Sequence, residues 1–208
     1  MKLLVLGATG GIGLELIRQA IEFHHQVTAL VRTPDRLKEF ADLITIIQGD
    51  VLNSADIERA LGGQDAVLSS FGPREPRSKA DVDLLRRFAV ALTIAMLRVK
   101  IQRLVVVSVA FLFKDSIIPP TYLFGRLFFR ETVIDASAME DVFRKSALAW
   151  TIVRPPQLTD KLRTGNYRVR EGHLPRFGFK ISRADVADFM IKTLENDATI
   201  GKVLGVSN

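Results

Sequence analysis

Apolar residues in this chain fall into short continuous runs, separated by stretches in which they recur every three or four positions. The runs are Leu3-Leu4-Val5-Leu6, then residues 26–31 (QVTALV), 43–47, 66–70, 103–108 (RLVVVS) and 150–153. Between the first two, Ile12, Leu16, Ile17, Ala20 and Ile21 hold helical spacing. A long helix is predicted over about 78–98, with Leu84, Leu85, Phe88, Leu92, Ala95, Met96 and Val99 on its apolar face. Another is predicted over about 130–147. Thr33-Pro34 opens a short helix, with Thr33 as the cap and Pro34 in the first turn. Asn53 or Ser54 caps the next one, which ends at Gly62-Gly63. Ser182-Arg183-Ala184-Asp185 reads as a capping-box-like start of a helix to about residue 195, with Val186, Phe189, Met190 and Leu194 turned inward. Residues 164–170 read as an extended arm over the site, and 202–206 as a last strand. Continuous β-branched runs suit strands buried on both faces of a parallel sheet. Their alternation with helices predicts an α/β fold, a doubly wound parallel sheet covered on both sides. One domain over residues 1–208 is expected, its part beyond about 155 supplying the substrate side.

The join between the first strand and first helix is Gly7-Ala8-Thr9-Gly10-Gly11-Ile12-Gly13. A glycine-rich turn between strand and helix lets backbone N–H groups approach a pyrophosphate, with a helix N-terminus aimed at it. The context on both sides makes this a Rossmann-type dinucleotide site, although the spacing is G-x-x-G-x-x-G.

Composition narrows this reading. Of 208 residues 48% are apolar and 25% charged, a globular balance with no disordered signature. Cysteine is absent, which excludes disulfides and thiolate chemistry and fits a reducing, cytoplasmic setting. The first strand begins at Lys2, so no signal peptide is expected, and no apolar run reaches the roughly 18–20 residues that span a bilayer. Three histidines, two of them adjacent, make no metal constellation. The formal charge of +6 fits an anionic cofactor and a small planar anionic or aromatic substrate. The basic residues are scattered and no nucleic-acid motif accompanies them, so nucleic acid is not expected as partner.

Strand two ends at Arg32, where an NAD site usually has an acidic residue accepting from the ribose hydroxyls. Arginine instead suits a 2′-phosphate, and Arg36 follows four positions later. A preference for NADP(H) over NAD(H) follows, with Asp35 between the arginines as the counterweight and a solvated basic turn as the alternative. Asp50 and Val51, after Gly49, are placed to meet adenine, or else simply end a strand. Gly72 would let backbone pass close to the cofactor, and Arg74 is either a phosphate or substrate clamp or a surface arginine.

Chemistry is less legible. Many reductases on this fold pair Tyr-x-x-x-Lys, the lysine lowering the tyrosine pKa for proton donation. Here Tyr122 is followed four residues on by Arg126 and Tyr167 by Glu171, so neither forms the pair. Tyr122 stays a candidate acid, or a loop residue covering the substrate. Ser108, at the end of strand five, is placed beside the nicotinamide or merely caps the strand. The apolar stretch 111–129 suggests an aromatic substrate, a protein-partner surface or, with Arg126 and Arg130 flanking its phenylalanines, an amphipathic membrane contact.

Taken in order, residues 7–13, Leu30-Val31-Arg32, Arg36-Leu37, Gly49-Asp50-Val51, Gly63-Gln64-Asp65-Ala66-Val67, Ala110-Phe111-Leu112, residues 144–148, Pro155-Pro156, Thr164-Gly165-Asn166-Tyr167 and Ile181-Ser182-Arg183 resemble the atypical short-chain reductases that include biliverdin-IXβ (flavin) reductase. The resemblance covers nearly the whole chain. It implies NADPH and hydride transfer to flavin or another planar acceptor, without Tyr-x-x-x-Lys. Two positions depart. The family's active-site serine falls at Val109, with Ser108 one residue earlier, and its histidine after Pro-Pro falls at Gln157. Ser108 and Gln157 are therefore the expected substrate-side residues. A non-catalytic NADP(H)-binding regulator or redox sensor is the other function this pattern allows.

Overall fold

The computed structural model describes residues 1–73, 83–113 and 130–208. Arg74, Tyr122, the start of the helix expected from 78 and most of the apolar stretch 111–129 lie outside the described residues. In chain order the elements are β1 (Lys2–Leu6), α1 (Gly11–Glu22), β2 (Gln26–Val31), a 3₁₀ segment (Pro34–Phe40), β3 (Thr45–Gln48), α2 (Ser54–Leu61), β4 (Ala66–Ser69), α3 (Leu84–Arg98), β5 (Arg103–Val107), α4 (Arg130–Arg144), β6 (Ala149–Arg154), β7 (Gln157–Thr159), β8 (Arg168–Glu171), β9 (Lys180–Ser182), α5 (Arg183–Thr193) and β10 (Lys202–Ser207).

The main sheet runs β3-β2-β1-β4-β5-β6-β10-β8. All neighbours pair in parallel except β8, which lies antiparallel on β10 at the edge. β7 and β9 form a separate parallel pair. This is the doubly wound Rossmann-like α/β fold. The order reverses between β1 and β4, so the crevice beyond their carboxyl ends is the expected ligand site.

Alternation along β1 explains the two cores. Leu3 and Val5 face one side, packed with Leu16 and Ile17 of α1 and Val186 and Met190 of α5. Leu4 and Leu6 face the other, packed with Ile57 of α2, Phe88 and Leu92 of α3, and Met139 and Phe143 of α4. The central strands β1, β2 and β4 are thus covered on both faces, which is why their sequences read as continuous apolar runs. Among the described residues, no helix is long and apolar enough to cross a membrane.

Some boundaries differ from the sequence reading. Thr33 makes no side-chain cap, and the segment it precedes is 3₁₀, broken at Leu37 (φ −116°). β3 starts at Thr45, because the chain turns at Leu43, whose N–H bonds the Phe40 carbonyl at 2.9 Å. Asn53 is the cap of α2, accepting from the Ala55 N–H. The stretch 164–170 is no arm over the crevice: Thr164 and Gly165 donate their N–H groups to Asp185 at the start of α5, 2.7 and 2.9 Å, and β8 forms the sheet edge.

Candidate functional site

The glycine turn is shaped by close approach. Gly7 has φ +77°, and a Cβ there would lie 2.6 Å from the Phe71 nitrogen. A Cβ on Gly13 would overlap the Gly7 carbonyl, so α1 can cross β1 this tightly only with glycine there. Gly10 caps α1 with no side-chain hydrogen bond and no acidic residue in the first turn, which leaves the helix's positive end undischarged.

A groove of about 670 Å³ opens at this turn. Gly7, Thr9 and Gly10 line it after β1, Arg32 and Arg36 after β2, Asp50 and Val51 after β3, and Gly72 after β4. Eight of the expected cofactor residues thus share one surface. Gly11, Ile12 and Gly13 do not line it. Gly11 lies under the Arg183 side chain, Gly13 under the Gly7 carbonyl, and Ile12 faces a second pocket. Both arginines are exposed, and among the described residues neither is ion-paired, Asp35 included. The Asp50 Oδ1 accepts the Leu52 N–H at 3.0 Å, and its own N–H donates to Asp56 at 2.9 Å.

The second pocket, about 750 Å³, shares residues 70–73 with the groove. Its walls are mainly apolar: Ile12, Phe71, Leu85, Phe111, Met139, Pro155 and Phe179. Ser108 lines it and is only 6% exposed, and its Oγ has no hydrogen-bond partner among the described residues. A buried hydroxyl without a partner is costly, and suits a site that a ligand completes. Val109, the position aligned with the family's serine, lines the same wall, so it and Ser108 both border the pocket. Gln157 borders it too, its N–H donating to the Phe179 carbonyl at 3.2 Å. Tyr167 is elsewhere: its hydroxyl donates to Asp188 at 2.7 Å, and burial followed by that bond raises its pKa. Of the apolar stretch, Phe111 lines the pocket and Phe113 is buried, so these two face inward. Among the described residues no cluster of metal-ligating side chains occurs.

Three features escape sequence reading. Thr132 lines the pocket from the first turn of α4, above Ala136 and Met139 at helical spacing, the one signal that could have found it. Asp135 of α4 accepts the Leu85 and Arg86 N–H groups at 3.0 Å each, capping α3 from a neighbouring helix. Arg154, closing β6, donates to both oxygens of buried Glu140 at 2.8 and 2.6 Å, and its guanidinium lies 4.5 Å over the Phe113 ring.

Fold and groove define a Rossmann-type protein with a candidate dinucleotide groove at the switch point of its sheet. The sequence profile of the NAD(P)H-binding family matches residues 7–197, and the chain belongs to that family. It is similar to a putative NAD-dependent epimerase/dehydratase from Bacillus halodurans, at 25% identity and a TM-score of 0.84, covering 100% of this chain and 94% of that one. A wide-type short-chain dehydrogenase/reductase from Veillonella parvula, solved in complex with NADP, shares the fold at 20% identity and a TM-score of 0.83 (100% and 94% covered). So does ChuY, an anaerobilin reductase from Escherichia coli O157:H7, at 19% identity and a TM-score of 0.81 (100% and 97% covered).

Proposed function

We propose that this protein is an NADPH-dependent oxidoreductase that passes hydride to a flavin or another planar acceptor. The observation that carries this reading is the junction of the two cavities. A groove with two arginines that have no ion-pair partner among the described residues runs, through residues 70–73, into an apolar pocket holding a buried hydroxyl, likewise without a partner among them.

Gly7, Gly10 and the free end of α1 would hold the pyrophosphate, Arg32 and Arg36 the 2′-phosphate, and Asp50 and Val51 the adenine. When bound, a reduced nicotinamide supplies a hydride, and a proton from solvent completes the reduction. Ser108 orients the acceptor or the nicotinamide by hydrogen bonding through its Oγ. The walls around Phe71, Phe111 and Phe179 suit a flat ring and exclude water from the transfer. Holding two reactants in line lowers the barrier by several kcal/mol without a side-chain acid. That is consistent with the absence of a Tyr-x-x-x-Lys pair.

The test mixes protein, NADPH and flavin mononucleotide, or a quinone, and follows the nicotinamide absorbance. Oxidation with turnover is expected, slowed roughly tenfold or more in Ser108→Ala. Tight NADPH binding with no oxidation across flavins and quinones would instead support the regulator reading.

A further inference from the structure

Large apolar side chains stand in solvent on one face. Leu162, before β8, is 87% exposed, and Phe177 and Phe179, between β8 and β9, are 83% and 54% exposed. Phe177 has φ 57°, a left-handed conformation that a bulky residue rarely adopts. The turn is held there, since the Gly178 N–H bonds the Pro175 carbonyl at 3.0 Å and a Cβ on Gly178 would overlap Ser207.

A chain of contacts links these residues. Leu162 borders the same cleft as Lys180 and Asn208. Arg168 donates to the Asn208 carbonyl at 2.8 Å and to the carbonyl of Arg176, next to Phe177, at 2.7 Å. Charge is concentrated here as well. Residues 161–182 contain six Lys and Arg against a single Glu, most of the formal +6 of the chain. That Glu171 is taken up by Lys202 at 2.7 Å. Lys161, Arg170, Arg176 and Lys180 are exposed and, among the described residues, have no carboxylate partner.

We propose that this face docks on an anionic lipid bilayer. Cations around protruding apolar tips match anionic headgroups above an acyl boundary. A second copy of the same face would bring like charges together. Nucleic acid could also neutralise the cations and stack on the two phenylalanines, but only an acyl boundary takes up the aliphatic Leu162 as well. Phe179 also rims the apolar pocket, so docking would bring the mouth of that pocket to the lipid surface.

Vesicle sedimentation of the full chain tests this without any nicotinamide, and so independently of the proposed reaction. Sucrose-loaded phosphatidylcholine vesicles are compared with and without phosphatidylglycerol. Pelleting is expected with phosphatidylglycerol alone, and loss of it in high salt. The double variant Phe177→Ser, Leu162→Ser, which touches neither the groove nor the apolar pocket, weakens binding at least tenfold. Arg176→Gln weakens it on the order of fivefold. NADPH affinity and the thermal melt stay unchanged in both variants. Failure to pellet with anionic vesicles, whether or not the protein binds an oligonucleotide, would overturn the proposal. So would undiminished pelleting of the double variant.

Discussion

At the scale of single residues, cofactor choice turns on Arg32. Its guanidinium is exposed on the groove beside Arg36, with no carboxylate to neutralise it among the described residues. Bonds to a charged partner are worth roughly 1.5–3 kcal/mol each, less where water screens them. Arg32→Glu replaces attraction to a 2′-phosphate with repulsion, while the new carboxylate can accept from a free ribose hydroxyl. NADPH affinity should fall roughly tenfold to several hundredfold, with NADH affinity nearly unchanged, by fluorescence titration of both. Equal losses would refute the assigned role. The lining of the groove was legible because its residues sit at fixed offsets after consecutive strands. The substrate half was legible only in part. Ser108 and Gln157 could be found from their strand ends, but nothing in the sequence shows that the Ser108 hydroxyl is buried without a partner. Gly11 and Gly13 are also tightly packed, against the Arg183 side chain and the Gly7 carbonyl, a role that glycine spacing alone does not separate from ligand contact.

At the scale of elements, helices and strands were legible wherever their apolar periodicity was long, as in α1, α3 and β5. Their ends were set by contacts between distant segments. The start of α5 illustrates this. Ser182 caps it as expected, its Oγ accepting the Asp185 N–H at 2.9 Å. The Asp185 carboxylate then gathers the N–H groups of Thr164 and Gly165 and the Asn208 amide, which pins the segment before β8 to this helix. Burial alone would raise the Asp185 pKa, but hydrogen bonds from Asn208, Gly165, Thr164 and Ser182 outweigh it and hold it below its ordinary value. A carboxylate depressed in the folded state contributes stability that is present above its unfolded pKa of about 3.9. That contribution is lost as pH falls through the lower folded value. Asp185→Asn should therefore cost about 1–3 kcal/mol at neutral pH and make the acid limb shallower below about pH 4, seen in denaturant melts across pH. An unchanged acid limb would mean that Asp185 does not drive it.

At the scale of the whole molecule, the two cavities are assembled differently. The groove is built from loops after β1 to β4, close in sequence. The apolar pocket collects residues from across the chain, from Ile12 and the 70–73 loop through Ser108, Thr132 and Pro155 to Phe179. Such a pocket needs a fixed joint, and Glu140 is placed to be one. It is fully buried, accepts two bonds from Arg154 and one from Arg144 at 2.7 Å, and so ties α4 to the end of β6 just before Pro155. Phe113, stacked on Arg154, extends the joint to the wall that carries Ser108 and Phe111. A buried pair of this kind contributes little net stability over apolar residues of equal size, yet removing one partner strands the other. Glu140→Gln should thus cost about 3–5 kcal/mol, whereas Glu140→Leu combined with Arg154→Met should recover much of that loss in thermal melts. If the joint positions the pocket wall, the double variant should raise KM for the acceptor while leaving that for NADPH nearly unchanged, because Arg32 and the glycine turn lie on the far side of β4. An equal rise in both constants would place Glu140 in general stability alone, with no separate hold on the substrate side.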